Sequence, residues 1–223
     1  MRSSDGAIRR FEHGGREVIA TRNLNPGHSV YGEKLVKRDG IEYRLWSPYR
    51  SKLSAALLKG LEGPALGEGS TVLYLGAGAG TTASHVSDAV AESGTVYCVE
   101  FAPKPMKELL RVSESRKNMI PLLADARHPE TYAHFLAEVN LVYQDVAQPN
   151  QGEIFRSNAQ AYLAPRGSGI LMIKSRSVDV AREPEEIFRE EIQRLSGWGF
   201  GIAGKTRLDP YDKDHIAIAL SNG

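Results

Sequence analysis

The chain has 223 residues, 41% of them hydrophobic and 25% charged, with a formal net charge of +1. That length suffices for one sizeable α/β core plus a small extra lobe, and no apolar run approaches the ~20 residues of a bilayer-spanning helix. A near-neutral molecule is poorly equipped to hold long RNA alone, yet residues 1–60 carry twelve Lys and Arg against six Asp and Glu, and residues 61–223 sixteen against twenty-one. The basic end either meets a phosphate backbone or is simply a solvated surface.

Met1-Arg2-Ser3-Ser4-Asp5-Gly6 lacks the apolar core of a signal peptide. Residues 1–45 then alternate in short segments, Arg16–Thr21 and Lys34–Arg44 among them, with turn signals at Asn25-Pro26-Gly27 and Asp39-Gly40. These predict a small antiparallel sheet. A helix is predicted from Ser51 to Leu61, with Leu53, Ala56, Leu57 and Leu61 at helical spacing. Lys52 stands at its opening, the wrong end for a cation in the helix dipole; it is either swung to solvent or kept for a task.

From residue 70 strands and helices alternate. Strands are expected at 71–75, 95–99, 119–124, 139–144 and 169–174, and helices near 81–90, 103–115, 129–135, 151–163 and 184–195. The chain ends on two strand-like runs, 200–208 and 215–220, with no helix between them. Such alternation predicts an α/β, Rossmann-like, mostly parallel sheet with helices on both faces, and the last two strands an antiparallel pair at one edge. That ending belongs to the class I methyltransferase version of the fold rather than to dehydrogenases. The expected division is a small β domain at 1–50 and a methyltransferase domain at 51–223. The single cysteine, Cys98, falls in an apolar run and has no partner for an internal disulfide, so a packing role and a reducing cytoplasm are expected.

The chemistry concentrates in Leu75-Gly76-Ala77-Gly78-Ala79-Gly80-Thr81-Thr82, a glycine loop between the first of these strands and its helix. The glycines allow a sharp turn and close approach of a ligand, and the helix start at Thr81 offers free N–H groups to a polar or anionic group. Glu100, at the tip of the next strand, is where such sheets grip the two hydroxyls of a ribose. The spacing is G-x-G-x-G, looser than the dinucleotide fingerprint, and tilts toward S-adenosylmethionine, which has no pyrophosphate. A loop that only closes a tight turn is the bland alternative.

Other polar residues end the remaining strands: Phe101 after Glu100, then Asp125-Ala126, Asp145-Val146-Ala147-Gln148, and Lys174. Phe101 can stack on adenine, Asp125 can accept from the adenine amino group while the Ala126 N–H meets a ring nitrogen, and Asp145 faces the sulfonium and ammonium end. His85 and Asp88 lie one helical turn apart without a third ligand, which suits surface or core pairing rather than a metal.

Taken together, these residues resemble the fibrillarin family, S-adenosylmethionine-dependent RNA 2′-O-methyltransferases of C/D-box ribonucleoproteins. The resemblance covers nearly the whole chain. It rests on Arg50-Ser51-Lys52-Leu53, Leu73–Ala77 with Gly80-Thr81-Thr82 and Ser84–Asp88, Val99-Glu100-Phe101, Asp125–Pro129, Asp145–Gln151, Ile173-Lys174, and Pro210-Tyr211 with Asp214-His215. The sequence has no glycine-arginine-rich N-terminal tail and is similar to the archaeal form. The resemblance implies a catalytic set of Lys52, Asp145, Lys174 and His215, with Asp145 orienting Lys174. No metal is expected, since no cysteine or histidine cluster has metal-ligand spacing. The implied partners are a Nop-domain scaffold protein, a kink-turn-binding ribosomal-type protein, a C/D-box guide RNA, and rRNA and tRNA targets. Rival readings are a methyltransferase acting on a protein side chain or small molecule, a non-catalytic ribonucleoprotein subunit, and a nicotinamide oxidoreductase.

Overall fold

A computed structural model describes residues 8–62 and 66–222; the signal-peptide reading of Met1–Gly6 falls outside them. Four antiparallel strands come first, β1 (Ile8–His13), β2 (Arg16–Arg22), β3 (Leu35–Arg38) and β4 (Ile41–Trp46), in the order β1-β2-β4-β3. Asp39 and Gly40 both take positive φ, 50° and 77°, the pair of left-handed residues that closes a two-residue hairpin.

Helix α1 (Lys52–Leu58) is shorter than expected. Gly60, at φ 80°, ends it: the Gly60 N–H donates to Leu57 O and the Leu61 N–H reaches back to Ala56 O, a glycine cap that satisfies the last carbonyls.

The rest of the chain runs β5 (Thr71–Leu75), α2 (Thr81–Val90), β6 (Thr95–Glu100), α3 (Pro103–Glu114), β7 (Met119–Leu123), a 3₁₀ helix at Pro129–Phe135, β8 (Val139–Gln144), α4 (Gln151–Tyr162), β9 (Leu163–Lys174), α5 (Ser175–Val178), α6 (Pro184–Gly197), β10 (Gly201–Arg207) and β11 (His215–Ser221). Relative to the sequence reading, β9 starts six residues earlier and the one-turn α5 is additional. The strands form one seven-stranded sheet ordered β10-β11-β9-β8-β5-β6-β7. The five from β7 to β9 are parallel, while β11 runs antiparallel to β9 and β10 antiparallel to β11. Strand order reverses between β5 and β8, and ligands of such sheets bind at that switch point.

Strand alternation builds the core. Val72 and Tyr74 of β5 enter one cluster with α2 and α3, and Leu73 and Leu75 enter another with α4 and α6, as the two-residue period of a strand requires. Ile19 and Trp46 carry the N-terminal sheet into the first cluster. Cys98 is buried there too, and burial pushes its thiol up, which leaves it inert packing.

His85 and Asp88 prove to be core residues. Asp88 accepts from Arg44 Nη1 at 2.8 Å, Thr21 Oγ1 at 2.8 Å, Arg116 Nη1 at 2.5 Å and the Leu24 N–H at 3.1 Å. Arg44 turns its Nε to Glu33 at 2.5 Å and its Nη2 to Ser84 at 2.9 Å. Because the Thr21 hydroxyl donates to Asp88, His85 Nδ1 donates to Thr21, and Nε2 accepts from Tyr31. Burial, and then Arg44 and Arg116, hold this imidazole well below its ordinary range, so it stays neutral. This network of two cations and two anions joins α2 to β2 and β4.

Candidate active site

Four strand ends converge on a cleft of about 440 Å³, within the ~300–1,000 Å³ usual for small-molecule sites. Gly76, Gly78, Glu100, Phe101, Asp125, Ala126, Asp145, Val146, Ala147 and Gln148 line it. A larger concavity of about 690 Å³ lies beyond the C-terminal end of α2, near Arg22 and Glu92, away from the carboxyl ends of the parallel strands.

The glycine loop is held by β6. Gly76 and Ala77 donate to Val99 O at 2.9 and 3.1 Å. Gly76 sits at φ 81°, and a Cβ there would stand 2.3 Å from the carbonyl oxygen of Asp145. Only glycine lets β5 turn this close to the end of β8, and this contact sets where Asp145 leaves the sheet. Glu100 Oε2 accepts from the Gly78 N–H and Oε1 from the Ala102 N–H, both at 2.8 Å. Each oxygen keeps a second lone pair for a ribose hydroxyl. Beside it the Phe101 ring is 63% exposed, a free face for a base. Arg127 grips both oxygens of Asp125 at 2.6–3.1 Å. That side-chain bond, first among the causes, lowers its pKa and keeps it an acceptor.

Ala77, Gly80, Thr81 and Thr82 do not line the cleft. Gly80, at φ 88°, caps α2 and packs against Leu109 and Val112 of α3. Thr82 donates to Ser51 Oγ at 2.9 Å, and Ser51 caps α1. Thr82 therefore pins the helix start that carries Lys52.

At the mouth of the cleft Lys52 is turned inward rather than out to solvent. Its Nζ meets both oxygens of Asp145, at 2.8 and 2.9 Å, and lies 4.0 Å from Asp212. The expectation that Asp145 orients Lys174 is thereby corrected: both carboxylate oxygens are taken by Lys52, and the Lys174 ammonium has no ion-pair partner among the described residues. Lys174 is fixed instead through its backbone, with its N–H donating to Gln151 Oε1 at 2.9 Å and its carbonyl accepting from Gln151 Nε2 at 3.2 Å. In turn, Gln144 Nε2 donates to the Gln151 carbonyl at 2.7 Å.

His215 stands directly opposite Lys174 in the β9–β11 register, so the two side chains share a face. The loop before His215 is stapled to the end of β9, where the Ser175 N–H donates to Asp214 O at 3.0 Å and Arg176 pairs with Asp214 at 3.4 Å. Lys52, Asp145, Lys174 and His215, spread over 164 positions, thus gather at one mouth. Reading the sequence missed Asp212, Gln144 and Gln151. Asp212 carried one signal, its place three residues before His215, and Gln151 another, its place at the end of the Asp145–Gln151 motif; Gln144 carried none.

The profile of the fibrillarin family matches residues 7–222. The chain belongs to the fibrillarin family. A fibrillarin-like rRNA/tRNA 2′-O-methyltransferase of Methanopyrus kandleri is 53% identical over 92% of this chain and 88% of its own. Among solved fibrillarins, that of Aeropyrum pernix with natively bound S-adenosyl-L-methionine superposes with a TM-score of 0.89 at 46% identity, covering 98% and 96% of the two chains. A fibrillarin/Nop5p complex contains a chain with TM-score 0.87 at 40% identity, covering 97% and 98%. The methyltransferase sheet expected of a fibrillarin is the fold found. Among the described residues of this family member no helix is long and apolar enough to cross a membrane, and no group of three His, Cys, Asp or Glu could hold a metal ion.

Proposed function

We propose that this chain is an S-adenosylmethionine-dependent RNA 2′-O-methyltransferase, the catalytic subunit of a C/D-box guide particle acting on rRNA and tRNA in the cytoplasm. The observation that carries it is the Lys52–Asp145 pair at the mouth of the glycine-loop cleft, with the Lys174–His215 register pair beside it. The donor set suits the cofactor. Glu100 suits the ribose hydroxyls, Phe101 and Ala126 an adenine, and Asp145 a sulfonium. When bound, S-adenosylmethionine supplies an electrophilic methyl.

A ribose 2′-hydroxyl is a poor nucleophile until its proton is moved or its developing charge is met. Lys52, neutralised by Asp145, fixes that carboxylate at the cleft mouth, and Lys174 brings an unpaired positive charge to the acceptor oxygen. The small β lobe is read as residues 1–50 and the methyltransferase lobe as residues 51–223; the last strand of the N-terminal sheet ends at Trp46 and α1 begins at Lys52. The near-zero net charge fits a subunit brought to RNA by others. The partners are a Nop-domain scaffold, in keeping with the fibrillarin/Nop5p relative, a kink-turn-binding ribosomal-type protein, the guide RNA and its target.

Methyl transfer in a particle reconstituted with guide RNA tests this. Radiolabelled methyl is expected at the 2′-oxygen of one guide-paired nucleotide, and the isolated chain is expected to bind the same RNA weakly. Label on protein, on a base, or on no acceptor would overturn the reading.

A further inference from the structure

His215 is buried, and its Nδ1 lies 2.7 Å from the Lys213 carbonyl oxygen and 2.9 Å from Asp212 Oδ1. Neither neighbour can donate to it: a carbonyl and a carboxylate only accept. The ring hydrogen therefore sits on Nδ1 whether the imidazole is neutral or charged. In the neutral ring the lone pair is then on Nε2, which has no hydrogen-bond partner among the described residues.

The charges around this ring are few and come from four places. Asp212 stands on its own loop, Lys52 on α1, Asp145 at the end of β8, and Lys174 opposite it on β9. Burial is the largest influence and lowers the imidazole below its ordinary range, with Lys52 pushing the same way and Lys213, Asp212 and Asp145 opposing. A neutral histidine with a fixed Nδ1–H and a bare Nε2, beside a carboxylate, is the arrangement of a proton acceptor with its orienting acid. Lys52 and Lys174 lack this property, the first because its ammonium is held by Asp145 at 2.8 Å and the second because nothing orients its amine.

Resting on the 2′-O-methyltransferase reading, we infer that His215 Nε2 accepts the proton of the target hydroxyl and that Asp212 is the positioning residue that makes it do so. His215 takes the 2′-hydroxyl proton as the bond between that oxygen and the methyl carbon forms; the electron pair of the breaking carbon–sulfur bond stays on sulfur. Asp212 meets the positive charge that appears on the ring, and the proton then leaves to water. Lys174 lies opposite on β9 and steadies the oxygen.

Two readouts test this on the full chain. In imidazole ¹⁵N spectra of the free protein, assigned with His215→Gln, the His215 signals are expected to report the Nδ1–H form, and Asp212→Asn is expected to move them toward a tautomer mixture. In the reconstituted particle Asp212→Asn is expected to lower kcat about 10- to 100-fold, with S-adenosylhomocysteine affinity unchanged. Removing a carboxylate that raises the His215 pKa is expected to shift the acid limb of its pH–rate profile to lower pH. His215→Gln is expected to lose that limb. An Nε2–H signal, an acid limb that Asp212→Asn leaves in place, or near-normal kcat in His215→Gln would each overturn the inference. A wild-type particle that transfers no methyl would instead sink the methyltransferase reading, leaving the tautomer result to stand on its own.

Discussion

Asp145→Asn is expected to slow methyl transfer by about 10²–10⁴-fold while leaving the fold intact. Asparagine matches the carboxylate in shape but not in charge. Lys52 would keep at most the amide oxygen as an acceptor, lose the anion it now meets at 2.8 and 2.9 Å and be left with the carboxylate of Asp212 at 4.0 Å, and the sulfonium side of the cleft would lose its anion. The backbone at 145 is held independently, by its N–H to Leu75 O at 2.9 Å and by the close approach of Gly76, so the loss should be electrostatic rather than a collapse of the loop. Lys52 and Asp145 side chains are 24% and 25% exposed, and water can take up much of the released charge, so Tm should hardly move. Single-turnover transfer in the particle measures the effect. A rate within about threefold of wild type would show that the pair has no part in the transition state.

Asp88→Ala is expected to do the opposite, costing about 3–5 kcal/mol of stability with no direct effect on chemistry. Asp88 is a fully enclosed carboxylate with four donors, two of them arginines. Its removal leaves Arg116 buried without an anion and Arg44 with Glu33 alone. Desolvation already pulls Arg116 below its usual range, so the lost carboxylate is not easily replaced by water. For a chain of this size the loss corresponds to a fall in Tm on the order of 10 °C. Thermal unfolding followed by circular dichroism reads it. An unchanged Tm would mean that the N-terminal sheet and α2 are held by the Ile19 and Trp46 packing alone.

These two residues also mark what could be read from the sequence. Position was legible wherever it follows from local pattern. The glycine loop, Glu100, the strand ends at Asp125, Asp145 and Lys174, and the closing antiparallel pair are all set by spacing of a few residues, and each lies where expected. Direction was not. Asp145 is 93 positions from Lys52 and was expected to serve Lys174; which lysine it meets depends on how α1 is pinned through Ser51 and Thr82, a contact no periodicity encodes. His85 and Asp88 read equally well as a solvated face or a core pair, because only the buried Arg44 and Arg116 decide between them. Gly80 and Thr82 belong to the loop motif yet face the packing behind it, so a motif located the loop without saying which of its residues touch a ligand.

The claim on which the rest depends is that the cleft at the strand ends seats an adenosyl group with its sulfur toward Asp145. A crystal structure of this chain with S-adenosylhomocysteine measures that directly. The expected result has the ribose hydroxyls on Glu100, the base between Phe101 and Ala126, and the sulfur facing the mouth where Lys52, Asp145, Lys174 and His215 meet. An adenosyl group bound elsewhere, or bound with its sulfur turned away from Asp145 and Lys174, would contradict it.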